Sequence, residues 1–400
     1  MRSTPALAMI IAAAAAEDAP APSGWVEQDV GATSPRTARL SSVFAADDLN
    51  VWAVGSAKGG DGGTAMRTSD GGASWVGLEL PAGTGPLSAI WGTVAKDGSQ
   101  QLWAAGGRFS GGCIVRSTDA GGTWELQAVP ENAAQLVGVW GANASTLWAV
   151  GETQSIAPLV LRTDNGGKDW ARQEFKPKTC KSYPAKGCVR GIQALWGRNG
   201  SNIFVAGQDS VGGWPAIGNT TDGGETWEAL ERTPARMNGN IAAIWGLGND
   251  IWVGGAGGLT TLLWHSADGG QTFIDQGVPS SVVGISGIFG VSASRVFAVG
   301  RAEGDSGLIL STSDGGEHWD AEPVPETTTN LRAMHGAAAA GGDGIELWTV
   351  GDSGSVHASI LHAKHSYSSA AVVPGSVVKT GAKTDDTHQL GPTTTSSGAG

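Results

Sequence analysis

Acidic side chains that could act as a catalytic pair are scarce in the sequence. Asp209, Glu303 and Asp305 are the acids in segments that could face a binding cleft. Hydrolysis of a glycosidic bond usually needs two carboxyl groups held about 5 to 10 Å apart, and the sequence assembles no such pair. We therefore assign no catalytic residue. These three acids are the candidates for catalysis under the alternative hypothesis that the protein is a hydrolase.

Basic side chains concentrate in one segment, residues 175–190, of an otherwise acidic chain. Cys180 and Cys188 within it could close a small loop by a disulfide if the chain is exported. Two interpretations stay open: a solvated, disulfide-closed loop without a partner, and a rigid basic loop that binds an anionic partner or glycan. The proposed binding residues, two of them from other loops, are Lys176, Lys178, Lys181, Tyr183, Lys186, Arg190, Trp214 and Arg332.

Histidines near the end of the chain form another candidate cluster. His357, His362 and His365 are spaced by five and three residues, which places successive rings on opposite faces of a strand. They therefore do not converge on one ion, and the glycine-rich segments are typical of turns rather than of phosphate-binding loops. We predict no metal and no cofactor, and we expect Cys113 to be a buried thiol.

The composition excludes several classes of protein. The 400 residues carry a net charge of -12 and give a pI of about 5.0, whereas a nucleic-acid-binding surface needs an excess of basic residues. No apolar run is long enough to predict a transmembrane segment. The chain contains 64 glycines and 17 tryptophans but only 2 tyrosines, which indicates a turn-rich, repeated β structure.

Two columns of aromatic residues recur in the same order along the chain. Large apolar residues at fixed repeat positions are normally core, so these rings predict packing between seven units rather than ligand binding. The first column consists of Phe44, Trp91, Trp140, Trp196, Trp245, Phe289 and His335. The second consists of Trp52, Trp103, Trp148, Phe204, Trp252, Phe297 and Trp348.

A third column is an eight-residue turn that ends in an aromatic residue. Its acidic position is occupied by Asp70, Asp119, Asn165, Asp222, Asp268 and Asp314. A carboxylate there can accept N–H bonds within the turn while glycines supply positive φ, so we interpret these residues as structural rather than calcium-binding. Asn165 replaces the aspartate once, and Asp169 and His318 replace a Ser or Thr. We expect these changes to weaken single turns.

These turns resemble the Asp-box, or BNR-type, repeat of β-propellers similar to sialidases and to photosystem II assembly and stability factors. Six copies imply an all-β fold: a single seven-bladed β-propeller of four-stranded antiparallel blades over residues 23–365. The seventh unit lacks a turn of its own, and residues 23–28 are similar to the strand that follows such a turn. We therefore predict that the N-terminal strand closes the last blade and removes an exposed edge.

The resemblance to sialidases is limited to the repeat. Those enzymes use an arginine triad and a tyrosine nucleophile, whereas the tyrosines here are Tyr183, in the basic loop, and Tyr367, near the C-terminus. Xyloglucanase-like relatives place two aspartates between two propellers, and this chain has one propeller. Because function depends on the site rather than on the fold, the resemblance implies no activity by itself.

The two ends of the chain differ in composition from the repeats. Arg2 and the Ala-rich run over residues 6–16 predict a signal peptide over residues 1–16, with a disordered tail as the alternative, followed by a linker over 17–22. Residues 366–400 are rich in Ser, Thr and Gly and are typical of a disordered tail. We therefore expect an exported protein, whether periplasmic, at the cell surface or secreted.

These patterns favour a non-enzymatic binding or scaffolding module. We expect a monomer that binds a protein or glycan partner through its upper face, defined as the face with the loops that enter each first strand. No nucleic acid is expected among its partners. The alternative is a divergent, sialidase-like glycoside hydrolase that uses Asp209 with Glu303 or Asp305.

Overall fold

The computed structural model describes residues 24–30, 37–95, 97–108, 111–177, 189–209, 213–230, 234, 239–257, 260–340, 344–353 and 357–366. In these ranges, 28 strands form seven separate four-stranded antiparallel sheets. A short 3-10 helix, Glu303–Asp305, is the one helix in this part of the chain. No helix among these residues is long and apolar enough to cross a membrane. The fold is the predicted all-β, seven-bladed propeller.

Each of the first six blades uses four consecutive strands. Blades 1 to 3 comprise β2 (Thr37–Ala45), β3 (Val51–Ala57), β4 (Gly63–Thr68), β5 (Val76–Leu78), β6 (Leu87–Val94), β7 (Gln100–Arg108), β8 (Gly111–Ser117), β9 (Glu125–Gln127), β10 (Ala133–Gly141), β11 (Leu147–Thr153), β12 (Pro158–Thr163) and β13 (Ala171–Gln173). Blades 4 to 6 comprise β14 (Val189–Gly197), β15 (Ile203–Asp209), β16 (Pro215–Thr220), β17 (Glu228–Ala229), β18 (Asn240–Leu247), β19 (Asp250–Gly257), β20 (Thr260–Ser266), β21 (Ile274–Asp275), β22 (Val282–Gly290), β23 (Val296–Ala302), β24 (Ser306–Thr312) and β25 (Asp320–Glu322).

The seventh blade is assembled from both ends of the described chain. It has the order β1 (Val26–Glu27), β28 (His357–Ser366), β27 (Gly344–Ser353) and β26 (Thr328–Ala338). Trp25 is 5% exposed, and its indole nitrogen donates to Glu322 in blade 6 at 2.5 Å. Glu27 accepts hydrogen bonds from Ser359 and Thr327, both at 3.0 Å. The predicted closure of the last blade by the N-terminal strand is therefore confirmed.

The second strand of each blade forms the centre of the core. The first five residues of β3 and of β11 are buried, because neighbouring blades cover both faces of the strand. Trp52, Trp148 and Trp348 have no exposed surface and pack between adjacent sheets. The fourth strands are only two or three residues long and mostly exposed. The tryptophans of the second column are thus structural, as expected.

A β-bulge interrupts every first strand at the same place, for example between Leu136 and Gly138. The Gln135 carbonyl, next to this bulge, lies close to the second strand. A Cβ atom built on Gly151 would lie 1.9 Å from that oxygen, so only glycine fits opposite the bulge. The bulge also changes which residues point into the centre of the ring, because one extra residue reverses the alternation of side chains.

The aspartate turns, which join the third and fourth strands, share one hydrogen-bond pattern. In the first turn, Asp70 accepts from the Ser74 hydroxyl at 2.5 Å, from the Thr68 hydroxyl at 2.7 Å and from the Ser74 amide at 2.9 Å. These bonds stabilise the carboxylate and lower the pKa of Asp70 to about 2. The Thr68 oxygen accepts the Gly72 amide at 2.9 Å, which closes the turn.

The two atypical turns, which we expect to be weaker, keep this hydrogen-bond pattern. In blade 3 the roles are exchanged: the Asn165 amide nitrogen donates to Asp169 at 2.9 Å, while the Asn165 oxygen accepts the Asp169 amide at 3.0 Å. In blade 6 the His318 ring nitrogen lies 2.7 Å from Asp314 and replaces the hydroxyl of Ser or Thr. In blade 3 the two substitutions compensate for one another, and in blade 6 the histidine takes over the hydrogen bond of the hydroxyl group.

Candidate functional site

A central channel runs between the seven first strands. Its cavity has a volume of about 670 Å³ and is lined by positions that are small or neutral in most blades, such as Ser42, Ala89, Gly138, Ala194 and Ala243. Among the described residues that line it there is no Asp or Glu; the charged ones are Arg198 and Arg332. The channel therefore offers hydrogen-bonding groups and positive charge, but no carboxyl pair for acid–base chemistry.

Six of the seven first-column side chains line this channel. Each first-column side chain packs over the small residue of the next blade: a Cβ on Gly197 would lie 2.4 Å from the Trp140 ring, and one on Gly290 would lie 2.3 Å from the Trp245 ring. The series ends at His335, whose Nδ1 atom accepts the Ala45 amide of blade 1 at 3.2 Å. The first column is therefore an interlock between blades.

The polar residues of the upper face meet at the channel mouth. Arg332 donates to Asp352 at 2.8 Å, and Arg39 lies 3.7 Å from the other oxygen of the same carboxylate. Two guanidinium groups thus share one carboxylate, which leaves this sector of the mouth with a net positive charge. Ser88 and Gln193 add uncharged hydrogen-bonding groups nearby. Arg39 and Asp352 were not among the predicted site residues, because their pairing depends on the register of two separate strands.

The three candidate acids do not form a constellation. Asp209 ends a strand of blade 4, is 3% exposed and accepts the Trp214 amide at 3.2 Å. Glu303 and Asp305 belong to the 3-10 helix of blade 6, and Asp305 accepts a hydrogen bond from Arg301 at 2.7 Å. Blade 5 separates the two groups, so the structure does not bring Asp209 to either acid. Asp209 and Asp305 therefore bind groups close to them in the chain, and Glu303 lies with Asp305 on the exposed helix.

Only part of the predicted basic loop lies within the described residues. Lys176 forms an ion pair with Glu174, Arg190 is exposed at the start of a first strand, and Trp214 is partly buried next to Asp209. Arg332 is the predicted binding residue that reaches the channel mouth. The remaining predictions lie outside the described residues: Lys178, Cys180, Lys181, Tyr183, Lys186 and Cys188.

The two members of the predicted histidine cluster whose side chains are described, His362 and His365, contact different carboxylates. His362 lies 2.9 Å from Glu346, and His365 lies 3.7 Å from Glu322 in blade 6. The His357 side chain lies outside the described residues. Burial lowers the pKa of His365, and it raises the pKa of the Cys113 thiol, which is 6% exposed. These groups belong to the blade interfaces.

The chain is similar in fold to several solved propellers. No family model and no curated protein matches it. A structure of YCF48 bound to a D1 peptide superposes with a TM-score of 0.59 at 17% identity, covering 86% of this chain and 97% of that one. YCF48 from Cyanidioschyzon merolae gives 0.58 at 18% identity, with 86% and 98% covered.

A carbohydrate-active enzyme shares the same architecture. The GH74 xyloglucanase from Xanthomonas campestris superposes with a TM-score of 0.58 at 16% identity, covering 82% of this chain but 53% of that one. The chain therefore spans about half the length of this enzyme. At such identities the likenesses show the fold alone. They establish a seven-bladed propeller of the kind found both in a peptide-bound protein and in a hydrolase.

Proposed function

We propose that this chain is a non-enzymatic propeller that binds a protein partner at the mouth of its central channel. The observation that carries the proposal is the channel lining, which combines neutral hydrogen-bonding groups with arginine and contains no carboxyl group among its described residues. Such a lining can bind a peptide but offers no acid–base pair for hydrolysis.

The charge at the mouth favours an acidic segment of the partner. Arg39 and Arg332 are only partly neutralised by Asp352, and Arg190 is exposed on the same face. The basic segment of the sequence also contains Lys178, Lys181 and Lys186, which lie outside the described residues. On a chain of net charge -12, this local excess of positive charge would orient a partner toward the upper face.

The similarity to YCF48 is in keeping with a protein partner, because that propeller was solved with a bound peptide. We further propose that the six aspartate turns are Asp-box repeats, on the basis of their common hydrogen bonds. We also propose that the protein is exported, on the basis of the Ala-rich N-terminal sequence. A glycan at the same mouth, and a hydrolase like the GH74 enzyme, are the competing functions.

The test is an array of immobilised 15-residue peptides of graded charge, probed with the full chain. We expect selective retention of acidic peptides, and loss of retention in the variant Arg39→Ser/Arg332→Ser. The matched control is Arg172→Ser, which removes an exposed arginine from the outer strand of blade 3. Equal losses in both variants would contradict a specific role for the mouth.

Xyloglucan oligosaccharides and fluorogenic sialosides are incubated with the same preparation. Turnover that depends on Asp209 or Asp305 would contradict the proposal and favour the hydrolase. Binding of oligosaccharides without turnover would replace the protein partner by a glycan.

A further inference from the structure

The lower end of the central channel, on the face that carries the aspartate turns, differs in chemistry from the channel mouth. Tryptophans of the first column line it in four consecutive blades, and each is only partly buried. These are Trp91, Trp140, Trp196 and Trp245. Because each lies near the end of its first strand, the rings are far from the loops that enter these strands at the mouth.

The indole nitrogens of these four rings are open hydrogen-bond donors. None of them has an acceptor among the described residues, and none is wholly buried. The second column differs, since Trp52 and Trp103 donate to carbonyls of the next turn at 3.0 Å. An indole nitrogen can donate but not accept, so these groups suit the acceptor atoms of a ligand. The lower end of the channel thus combines flat apolar rings with N–H donors.

Arg198 is the charged side chain that lines this end of the channel among the described residues. It follows the first strand of blade 4, two residues after Trp196. The same position is occupied by a neutral residue in every other blade: Ala46, Thr93, Ala142, Leu247, Val291 and Ala337. The propeller fold therefore does not require a cation at this position.

The Arg198 guanidinium has no counter-charge within the described chain. Its Nε and Nη2 atoms are wholly buried without a hydrogen-bond partner, and Arg198 forms no ion pair with a described carboxylate. Other partly buried arginines are satisfied by the chain: Arg67 donates to Asn50 at 2.8 Å, and Arg116 donates to Gln101 at 3.1 Å. Because a buried cation without a partner is costly, an anion beside Arg198 would stabilise the folded chain.

The turn of blade 5 positions this guanidinium without neutralising it. A Cβ atom on Gly269, in that turn, would lie 3.2 Å from Nη2 and 3.7 Å from Nη1 of Arg198. Arg162 approaches Gly223 in the turn of blade 4 in the same way, but it also donates to the Gly223 carbonyl and pairs with Asp164. The Nη1 atom of Arg198 has no partner and is not wholly buried, so an anion in the channel can reach it.

The cavity suits a small anionic ligand. Its volume of about 670 Å³ is in the range of small-molecule sites. Its described lining contains no Asp or Glu, so an anion meets no repulsion from it. Leu247 and the rings of Trp196 and Trp245 supply apolar surface in the same two blades as Arg198 and the turn beside it.

We propose that the lower end of the channel binds a small aromatic carboxylate. The carboxylate pairs with Arg198, and the flat body of the ligand lies against Trp196 and Trp245. The charge favours an anion over a neutral molecule of the same shape, and the rings favour an aromatic body over a bare carboxylate. The site uses residues at the other end of the channel from Arg39 and Arg332, so it does not depend on the function proposed for the mouth.

The test uses the full chain with 15N-labelled tryptophan and probes that separate charge from shape. The probes are 2-naphthoate, neutral 2-naphthamide, cationic 2-naphthylmethylammonium and acetate. The indole signals are assigned from Trp196→Phe and Trp245→Phe, which carry the residue found in blades 1 and 6. Both signals should shift with 2-naphthoate, and its affinity should exceed that of each other probe by at least about tenfold. No shift of these signals, or an equal affinity for any other probe, would overturn the proposal.

Two variants test the place of the carboxylate. Arg198→Ala carries the residue found at this position in blades 1, 3 and 7 and should weaken 2-naphthoate by at least about tenfold, but not 2-naphthamide. Arg172→Ala removes an exposed arginine from the outer strand of blade 3 and should leave both affinities unchanged. An unchanged 2-naphthoate affinity in Arg198→Ala, or equal losses in both variants, would show that the anion binds elsewhere. If Arg198→Ala does not fold, the four probes on the wild-type chain still decide.

Discussion

His335 makes the stability of the ring depend on pH. Its ring lies between Phe44 and Phe289, with centroids 5.1 Å from each, and its Nδ1 atom must be unprotonated to accept the Ala45 amide. Burial lowers the pKa of His335 from 6.5 to about 4, opposed by a smaller effect of the Gly336 backbone. Between these two values the unfolded chain binds a proton that the folded chain does not.

The direction of the pH dependence of stability follows from this difference in proton binding between the folded and unfolded chains. The contribution of His335 to stability is complete above pH 6.5 and is lost as the pH falls toward 4. At about 1.4 kcal/mol per pKa unit, the difference corresponds to about 3 kcal/mol at most, because water in the channel can reach part of the ring. The carboxylates of the aspartate turns lose their contribution at lower pH, since folding lowers their pKa from 3.8.

The assay is urea unfolding followed by tryptophan fluorescence, at pH 7.5 and at pH 4.5. The wild-type chain should lose about 2 to 3 kcal/mol of unfolding free energy between these pH values through His335. The variant His335→Phe carries the residue found in blades 1 and 6 and should lack this loss. It should also be about 1 kcal/mol less stable at pH 7.5, since the Ala45 amide loses its acceptor.

The matched control is His318→Thr. Its hydrogen bond to Asp314 raises the pKa of His318, so this histidine stabilises the fold below pH 6.5 and loses that effect as the pH rises. Removing it should make the loss on acidification slightly larger, opposite to the effect of His335→Phe. An unchanged pH dependence in His335→Phe would refute the reasoning.

Three further changes have defined outcomes in the same unfolding assay. Trp25→Ala should cost about 3 to 5 kcal/mol, because it removes the buried ring that closes the last blade; a cost under 1 kcal/mol would contradict that role. Trp52→Phe should lower the unfolding free energy by about 1 kcal/mol more than Trp252→Phe does, because the Trp52 indole has a hydrogen-bond acceptor and the Trp252 indole has none. Equal losses in the two variants would refute this difference. Asn165→Asp should lower the unfolding free energy by about 1 kcal/mol, because the new carboxylate is repelled by Asp169. The double variant Asn165→Asp/Asp169→Thr should recover this loss. If it does not, Asn165 and Asp169 have not exchanged their hydrogen-bonding roles.

The architecture could be predicted from the sequence because each blade repeats the same local signals. Turn residues such as Asp70 and core rings such as Trp52 recur at regular spacing, and seven such units fill a ring. Closure by the N-terminal strand could be predicted as well, since the residues after Trp25 resemble a fourth strand whose third strand lies at the other end of the chain.

Features that depend on geometry between strands or blades could not be predicted in this way. The need for Gly151 arises from the carbonyl of Gln135, which lies between two register shifts on the neighbouring strand. The pairing of Arg39 with Asp352 joins the first strand of blade 1 to the second strand of blade 7.

The central claim is that the channel mouth binds a protein partner, and photo-crosslinking tests it most directly. p-Benzoylphenylalanine is placed at Ser88, at the mouth, or at Val76, which is 56% exposed on an outer strand of blade 1. Each variant is irradiated with the acidic peptide that the array retains most strongly. The account predicts a crosslink from position 88 and none from position 76; a crosslink from position 76 alone, or from neither position, would contradict it.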